Sequence, residues 1–383
     1  MRKFLVASTL GLLIACGAKS NIEPPAPLPD FSPTAQVKRI WSTQVGRGDS
    51  KRLVSLSPLV HNDIVYVADP SGRVSALAID SGKQIWSVET EIRIGGGVGF
   101  GDDLILLGSK DGQIFALEPN TGASRWVSPV SSEVLASPVA FSGVVVVQTI
   151  DGKIFGLSSR DGSQLWMQQR TEPSLSLRGT SSPIISGGLV LSGFASGKIV
   201  AFEIDSGRLL WERTVAYPSG SSEVERLVDV DSTPLVVGNT LFAASFQGNI
   251  VAIDMRTGRI FWSRDVSTYT GMDADQQNIY LTDESGNVLA LDQRTGTSLW
   301  RQDKLRARLL NAPTLVAEYV AVGDVAGYVH WLSKDTGQFA ARMRGTNGAI
   351  RSRGVAAGST LFVQSQKGQL AALQIRTGTS KQR

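Results

Sequence analysis

Hydrophobic and polar residues alternate in short runs along most of the chain, and one form of this alternation recurs eight times after residue 70. Each copy opens on a glycine, continues as an alternating apolar run, and reaches a second glycine ten residues later. Six copies carry a tryptophan fourteen residues after the first glycine. The copies are GRVSALAIDSGKQIW (72–86), GQIFALEPNTGASRW (112–126), GKIFGLSSRDGSQLW (152–166), GKIVAFEIDSGRLLW (197–211), GNIVAIDMRTGRIFW (248–262), GNVLALDQRTGTSLW (286–300), GYVHWLSKDTGQFAA (327–341) and GQLAALQIRTGTSKQ (368–382).

Each copy predicts a β-hairpin, because period-two alternation flanks a turn whose glycine takes a positive φ. A second alternating pair precedes each copy, as in SPLVHNDIVYVAD and STPLVVGNTLFAAS, so each unit has four strands. The first glycines are spaced by 40, 40, 45, 51, 38, 41 and 41 residues, which is typical of propeller blades. The pattern therefore predicts an all-β, eight-bladed β-propeller of four-stranded antiparallel blades over residues 38–383.

The two ends of the chain indicate how such a ring closes. The eighth copy reaches the C-terminus without a tryptophan, while the segment QVKRIW places Trp41 before the first complete unit. We expect the N-terminal strand to supply the outer strand of the last blade, which leaves no open edge.

Tryptophans at one fixed position per blade are what packing between blades requires, so we interpret them as structural. The seventh copy departs from the pattern, with Ala341 in the aromatic position and Trp331 earlier in the strand, and we expect that blade to pack differently. The structural set is Trp41, Trp86, Trp126, Trp166, Trp211, Trp262 and Trp300.

The first residues predict export from the cytoplasm. Arg2 and Lys3 precede an apolar run that ends in small residues, which is the layout of a signal peptide, here residues 1–15. The sequence Leu-Ile-Ala-Cys ending at Cys16 resembles a bacterial lipobox and implies acylation of that cysteine. Gly17 follows it rather than an aspartate, which favours the outer membrane. Residues 16–37 are rich in proline and predict an extended tether.

Composition argues against several kinds of site. The formal charge is +4, two units of which lie in the signal peptide, so no basic field for nucleic acid is expected. Cys16 is the only cysteine, which excludes cysteine metal sites and internal disulfides. The two histidines, His61 and His330, are too few for a histidine metal cluster, and we expect both on loops or strand surfaces. We predict no metal, no cofactor and no catalytic residues.

Two connections between repeats are longer than the others. The interval from tryptophan to the next proline is 12 residues for Trp126 and 13 for Trp300, but 17 for Trp166 and 23 for Trp211. Both expanded connections join the outer strand of one blade to the inner strand of the next, so they emerge on one face and are adjacent around the ring. Expanded loops on one face of a repeat protein are a common place for a partner site.

The residues of these connections allow two interpretations. The first connection reads PSLSLRG and contains Leu175, Leu177 and Arg178; the second reads PSGSSEVERLVDVDSTP and contains Asp229 and Asp231. Exposed leucines bordered by charges of both signs suit a protein interface. Alternatively, the leucines fold back onto the blade and the aspartates only cap a turn.

The motifs PSLSLRG, SSEVERLVDVDSTP and GDVAGYVHWLSKDTGQF (323–339), behind a lipobox and on eight such repeats, closely resemble the propeller lipoproteins of the outer-membrane β-barrel assembly machinery. The resemblance covers the whole chain after the tether and implies a non-catalytic scaffold at the periplasmic side of the outer membrane. It implies that Leu175, Leu177, Arg178, Asp229 and Asp231 dock on the periplasmic POTRA domains of BamA, the central barrel subunit. Exposed blade edges suggest that unfolded barrel precursors bind too, by β-strand addition.

Two other functions fit the repeat. Its Ala-Leu-x-x-x-Thr-Gly-x-x-x-Trp form also resembles the tryptophan-docking repeat of quinoprotein dehydrogenases, which implies a periplasmic enzyme dependent on pyrroloquinoline quinone and calcium. Those enzymes usually hold the quinone against a vicinal cysteine pair, which this chain lacks. A glycan-binding propeller would need aromatic residues on one face, and Tyr217, Tyr269 and Phe100 are the candidates.

Overall fold

The computed structural model of the protein describes residues 23–48, 56–173, 175–176 and 181–377. Thirty-two strands fill these ranges and form eight four-stranded antiparallel sheets, which we number as blades 1 to 8. Within the same ranges, no helix is long and apolar enough to cross a membrane. The signal peptide, Cys16, Leu177 and Arg178 lie outside the described residues.

Each blade is ordered from an inner to an outer strand in chain order, apart from blade 8. Blade 1 consists of β2 (Leu59–His61), β3 (Ile64–Ala68), β4 (Arg73–Ala78) and β5 (Gln84–Glu89). Blade 2 consists of β6 (Ile94–Gly101), β7 (Leu104–Ser109), β8 (Gln113–Leu117) and β9 (Ser124–Pro129). Blade 3 consists of β10 (Val139–Phe141), β11 (Val144–Gln148), β12 (Lys153–Ser158) and β13 (Gln164–Gln169), and blade 4 of β14 (Ile184–Ser186), β15 (Leu189–Phe194), β16 (Lys198–Glu203) and β17 (Leu209–Thr214).

Blade 5 consists of β18 (Leu235–Val237), β19 (Thr240–Ala244), β20 (Asn249–Asp254) and β21 (Ile260–Asp265). Blade 6 consists of β22 (Met272–Ala274), β23 (Asn278–Thr282), β24 (Val288–Asp292) and β25 (Ser298–Gln302). Blade 7 consists of β26 (Thr314–Val316), β27 (Tyr319–Gly323), β28 (Tyr328–Ser333) and β29 (Phe339–Arg344), and blade 8 of β30 (Val355–Ala357), β31 (Thr360–Gln364), β32 (Gln369–Thr377) and β1 (Ala35–Gln44).

The ring closes between the two ends of the chain. The innermost strands of blades 1 and 8, β2 and β30, contact each other, as neighbouring inner strands do elsewhere in the ring. Strand β1 pairs antiparallel with β32, from Ala35 opposite Thr377 to Gln44 opposite Gln369. The predicted eight-bladed propeller, closed by the N-terminal strand, is therefore confirmed.

Strand alternation supplies both faces of each blade with apolar side chains. In β3, Val65 and Val67 pack into the cluster between blades 8 and 1, whereas Tyr66 and Ala68 pack into the cluster between blades 1 and 2. The central strands are therefore apolar on both faces, and stability depends on neighbouring blades.

The tryptophans join each blade to the next in one repeated geometry. The indole Nε1 of Trp86 donates a hydrogen bond of 2.8 Å to the Pro119 carbonyl in blade 2, and its ring lies against Gly122. Equivalent bonds of 2.7 to 3.0 Å link six further tryptophans to a carbonyl of the following blade: Trp41, Trp126, Trp166, Trp211, Trp262 and Trp300.

Blade 7 places its tryptophan one strand further in. Trp331 in β28 lies opposite Ala341 of β29 and is fully buried in the cluster between blades 7 and 8. The small side chain of Ala341 leaves space for the indole of Trp331. In blade 1, by contrast, the tryptophan (Trp86) is on the outer strand and the alanine (Ala76) is on the third strand.

Residues 23–34, here called the N-terminal strap, lie against the propeller. The Arg308 guanidinium donates to the Ala26 carbonyl at 2.7 Å, and that of Arg342 donates to the Pro29 carbonyl at 2.9 Å. Phe31 stacks on Phe339 with ring centroids 5.3 Å apart. Residues 23–34 thus pack on the propeller, although the sequence predicted that they belong to a tether of residues 16–37. A tether that does not touch the propeller can only lie within residues 16–22.

His330 differs from the expected surface position. It is fully buried in β28, and its Nε2 lies 3.1 Å from an oxygen of Asp324, which also receives a 2.7 Å hydrogen bond from Nε of Arg308. Burial lowers the pKa of His330, so it stays neutral in the folded protein. His61 is partly buried and stacks on Phe100, which lies in β6 rather than in a loop.

Candidate docking face

Among the described residues, the connections from an outer strand to the next inner strand lie on one face of the ring, which we call the loop face. The turns between the second and third strands of each blade emerge there too, because strand direction alternates. The described parts of the expanded connections, residues 170–173, 175–176 and 181–183 of the first and 215–234 of the second, lie on this face on either side of blade 4. The structure thus brings together the two segments that the sequence singled out.

The connection 170–183 presents an apolar side chain. Leu175 is 43% exposed, and Ser176 beside it is exposed too. Of its predicted neighbours at the interface, Leu177 and Arg178 fall outside the described residues. The interpretation that the leucines fold back onto the blade is therefore not supported at Leu175.

The connection 215–234 adds further exposed apolar groups. Tyr217 is 79% exposed and Val224 is 61% exposed, neither of which is explained by a fold requirement. The Glu225 carboxylate accepts backbone hydrogen bonds from Ser221 at 2.7 Å and from Ser222 at 3.1 Å. These bonds lower the pKa of Glu225 and fix the short turn that displays Val224.

Three carboxyl groups of the two connections interact electrostatically. Asp229 is fully buried, Asp231 and Glu172 are partly buried, and the charge of Asp229 acts on both of the others. Burial, followed by the charges of Asp229 and Glu172, raises the pKa of Asp231 to about 8. Burial and the charge of Asp229 raise the pKa of Glu172 to about 7, against backbone hydrogen bonds from Ser196 and Ala195.

This cluster places Asp229 and Asp231 differently from the rim positions that the sequence suggested. The Asp229 carboxyl lies inside the connection, where it acts on its neighbours rather than on solvent. Burial is the largest cause of both raised pKa values, and the charge of Asp229 adds to it, so Asp231 and Glu172 hold their protons more readily than exposed carboxyls do. A cation brought to this site would restore their ionisation.

The described part of the chain gives no support for a metal centre. No group of three or more histidine, cysteine, aspartate or glutamate side chains in these ranges is arranged to hold a metal ion. The Glu172, Asp229 and Asp231 cluster is included in that statement.

Comparison with known proteins agrees with the loop motifs. The family model described as outer membrane protein assembly factor BamB matches residues 34–91 and 70–302. BamB of Pseudomonas aeruginosa is 46% identical over 365 residues, covering 95% of this chain and 96% of that protein. BamB of Escherichia coli is 34% identical and covers 96% of this chain and 98% of its own length.

Solved structures separate family from fold. The crystal structure of BamB from Moraxella catarrhalis superposes with a TM-score of 0.81 at 31% identity and covers 88% of this chain and all of that one. Quinohemoprotein alcohol dehydrogenase from Comamonas testosteroni reaches a TM-score of 0.71 at 13% identity, covering 88% of this chain and 76% of its own, which shows a shared propeller fold alone. The chain belongs to the BamB family of outer membrane protein assembly factors, as its loop motifs predicted, and not to the dehydrogenases.

Proposed function

We propose that the protein is a scaffold that docks through its loop face, at residues 170–183 and 215–234, on the periplasmic POTRA domains of BamA. The observation that carries the proposal is that the two expanded connections expose apolar side chains, Leu175 on one and Tyr217 and Val224 on the other. Exposed apolar groups of this kind give an interface its affinity.

The roles within the interface are those that the family resemblance implies. Leu175 and Leu177 are the apolar anchors, and Arg178 is a hydrogen-bonding cation. Asp229 and Asp231 are the acidic partners that the resemblance implies. Because burial and the charge of Asp229 raise the pKa of Asp231 to about 8, a basic group of the partner would ionise Asp231 as it docks. Asp229 acts through its charge on Asp231 and Glu172, because its own side chain is buried.

We further propose that residues 1–15 are removed on export and that Cys16 is acylated, which holds the propeller at the periplasmic side of the outer membrane. This rests on the lipobox before Cys16 and on the family of the chain. A rigid propeller anchored there can orient the periplasmic domains of the barrel subunit.

The docking proposal is tested by titrating a soluble chain that starts after Cys16 against isolated POTRA domains. The double variant Leu175→Glu with Arg178→Glu is expected to lose binding while its melting temperature stays unchanged. Leu165→Glu is the matched control, because Leu165 is a 51% exposed leucine at the start of β13, away from the loop face. Native-like binding by the double variant, or equal loss in the control, contradicts the proposed site.

Precursor binding is a separate proposal, motivated by the unpaired outer strands. If β-strand addition at blade edges is correct, crosslinks from a bound precursor will map to outer strands such as β13 and β17. Crosslinks confined to the loop face would contradict it.

A further inference from the structure

The N-terminal strap fixes where the predicted lipid anchor leaves the propeller. Its first described residue, Glu23, forms an ion pair with Arg306 at 3.0 Å, and Ala26 donates its backbone N–H to the Arg306 carbonyl at 3.0 Å. Arg306 and Arg308 belong to the connection 303–313 between blades 6 and 7, which lies on the loop face. From there the strap descends along β29 to Thr34, whose N–H donates to the Ala340 carbonyl.

The strap is held by groups that resist displacement. Arg308 is 6% exposed, and its guanidinium bridges the buried Asp324 carboxylate and the strap carbonyl of Ala26. Near the other end, the Arg342 guanidinium lies 5.2 Å from the ring centroid of Phe31. Detaching the strap would expose the stacked rings of Phe31 and Phe339 and would remove the hydrogen bond between the buried Arg308 and the Ala26 carbonyl. The first residues of the strap therefore stay at a fixed place on the loop face.

Glu23 lies seven positions after Cys16, with six residues between them. Fully extended, this stretch spans at most about 25 Å. An acyl group on Cys16 would therefore keep the blade 6–7 region of the loop face within this distance of the membrane surface, whereas the opposite face is farther from the anchor by the height of the blades.

The composition of this region suits a lipid surface. Connection 303–313 contains three basic residues and one acid, and connection 345–354 contains two basic residues and no acid. Three of these basic residues are engaged by carboxylates, Arg306 by Glu23, Arg308 by Asp324 and Arg353 by Asp273, whereas Lys304 is exposed. Across the ring, connection 215–234 contains four acids and one basic residue. In the connection 303–313, Leu309 is 40% exposed and Lys304 is exposed too, and Leu309 has a strained φ of +51°.

From these observations we infer that the loop-face region of blades 6 to 8 contacts the anionic phospholipid headgroups of the membrane that carries the anchor. Lys304 meets the headgroups, and Leu309 reaches the apolar boundary beneath them. The acidic docking connections then face the same membrane from the other side of the ring, so the partner is received in the space between propeller and membrane. This inference rests on the proposed acylation of Cys16.

The test uses the full acylated chain in vesicles of phosphatidylethanolamine and phosphatidylglycerol with a nitroxide headgroup lipid. A dye is placed on single cysteines at Asp303→Cys in the blade 6–7 connection, Ser131→Cys in the blade 2–3 connection, and Glu318→Cys on the opposite face of blade 7. All three positions are exposed, and Cys16 is the only native cysteine. Quenching at residue 303 is expected to be several-fold stronger than at residue 318, with residue 131 weaker than 303. Equal quenching at 303 and 318, or stronger quenching at 318, overturns the orientation.

Contact is tested by Lys304→Glu with Leu309→Ser, which is expected to reduce quenching of the dye at residue 303 several-fold. Its control, Lys83→Glu with Leu165→Ser, changes an equally exposed cation and leucine away from the loop face and is expected to have no effect. An unchanged signal in the first variant overturns the contact. If the chain without added cysteines takes up dye and stays in solution, Cys16 is not acylated and the inference falls, while docking on POTRA domains is unaffected.

Discussion

The indole ring of Trp41 covers the Cα of Gly82, and its Nε1 donates a 2.9 Å hydrogen bond to the carbonyl of Ile79. Trp41 belongs to β1, the outer strand of blade 8, whereas Gly82 lies in blade 1. This contact therefore joins the last blade to the first and repeats the geometry that joins the other blades.

Because Trp41 packs on Gly82 at the ring closure, Gly82→Ala is expected to destabilise the protein through backbone strain and through a steric clash with the indole. The φ of Gly82 is +66°, and a Cβ there would lie 2.5 Å from Cε3 of Trp41. Gly358→Ala is the matched control, since its φ is +58° and no atom lies within 4 Å of the added Cβ. The control is expected to lose about 1–2 kcal/mol of unfolding free energy and Gly82→Ala clearly more.

A double-mutant cycle with Trp41→Ala checks the cause. Removing the indole alone is expected to cost about 3–5 kcal/mol, measured by urea denaturation. In that background, Gly82→Ala should cost no more than Gly358→Ala does. Full additivity of the two changes would contradict a direct contact across the closure.

The strap predicts unequal effects of two neighbouring arginines. Arg308→Ala leaves the buried Asp324 carboxylate without its guanidinium and is expected to lower the unfolding free energy by about 3–5 kcal/mol. Arg306→Ala removes only the exposed pair with Glu23 and should cost about 0–1 kcal/mol. Proteolysis of residues 23–34 should accelerate in the first variant only. If both variants lost a similar amount of unfolding free energy, burial of the Arg308–Asp324 pair would not be what makes it stabilising.

The carboxyl cluster predicts a stability that falls as the pH rises. Asp231 has a pKa of about 8 in the folded protein, against an ordinary value of 3.8. Between these values the folded protein retains a proton that the unfolded chain releases, so stability is fully present below about pH 4 and is lost as the pH rises through 8. Asp231→Asn should therefore raise the melting temperature at pH 8 by several degrees, with little change at pH 4.

Calorimetry at both pH values measures this difference. Asp265→Asn, at the end of the outer strand β21, serves as a control, because Asp265 is an exposed aspartate outside the cluster. If the melting temperatures of Asp231→Asn and of the native protein differ by the same amount at every pH, Asp231 does not hold a proton in the folded protein, and the prediction is wrong.

The sequence predicted the architecture well because each blade repeats the same local chemistry. Strand alternation, a glycine turn such as that at Gly82, and a tryptophan at constant spacing are local signals that recur in phase. The closure by β1 was predictable because Trp41 stood apart from a complete unit while the eighth unit lacked its aromatic residue.

Contacts between distant residues were not predictable. The strap joins Ala26 to Arg308 and Phe31 to Phe339 across almost the whole chain, and proline-rich composition indicated only a tether. Phe31 among prolines was the one available signal. The burial of His330 and Asp229 likewise depends on neighbouring loops, which alternation within one strand does not describe.

The docking site itself is tested most directly by site-specific photocrosslinking in the purified assembly complex. A photoreactive residue is placed at Leu175 on the loop face in one sample and at Leu165 on β13 in another. We predict crosslinks from residue 175 to the POTRA domains of BamA, and none from residue 165. POTRA crosslinks from residue 165, with none from residue 175, would contradict docking through the loop face.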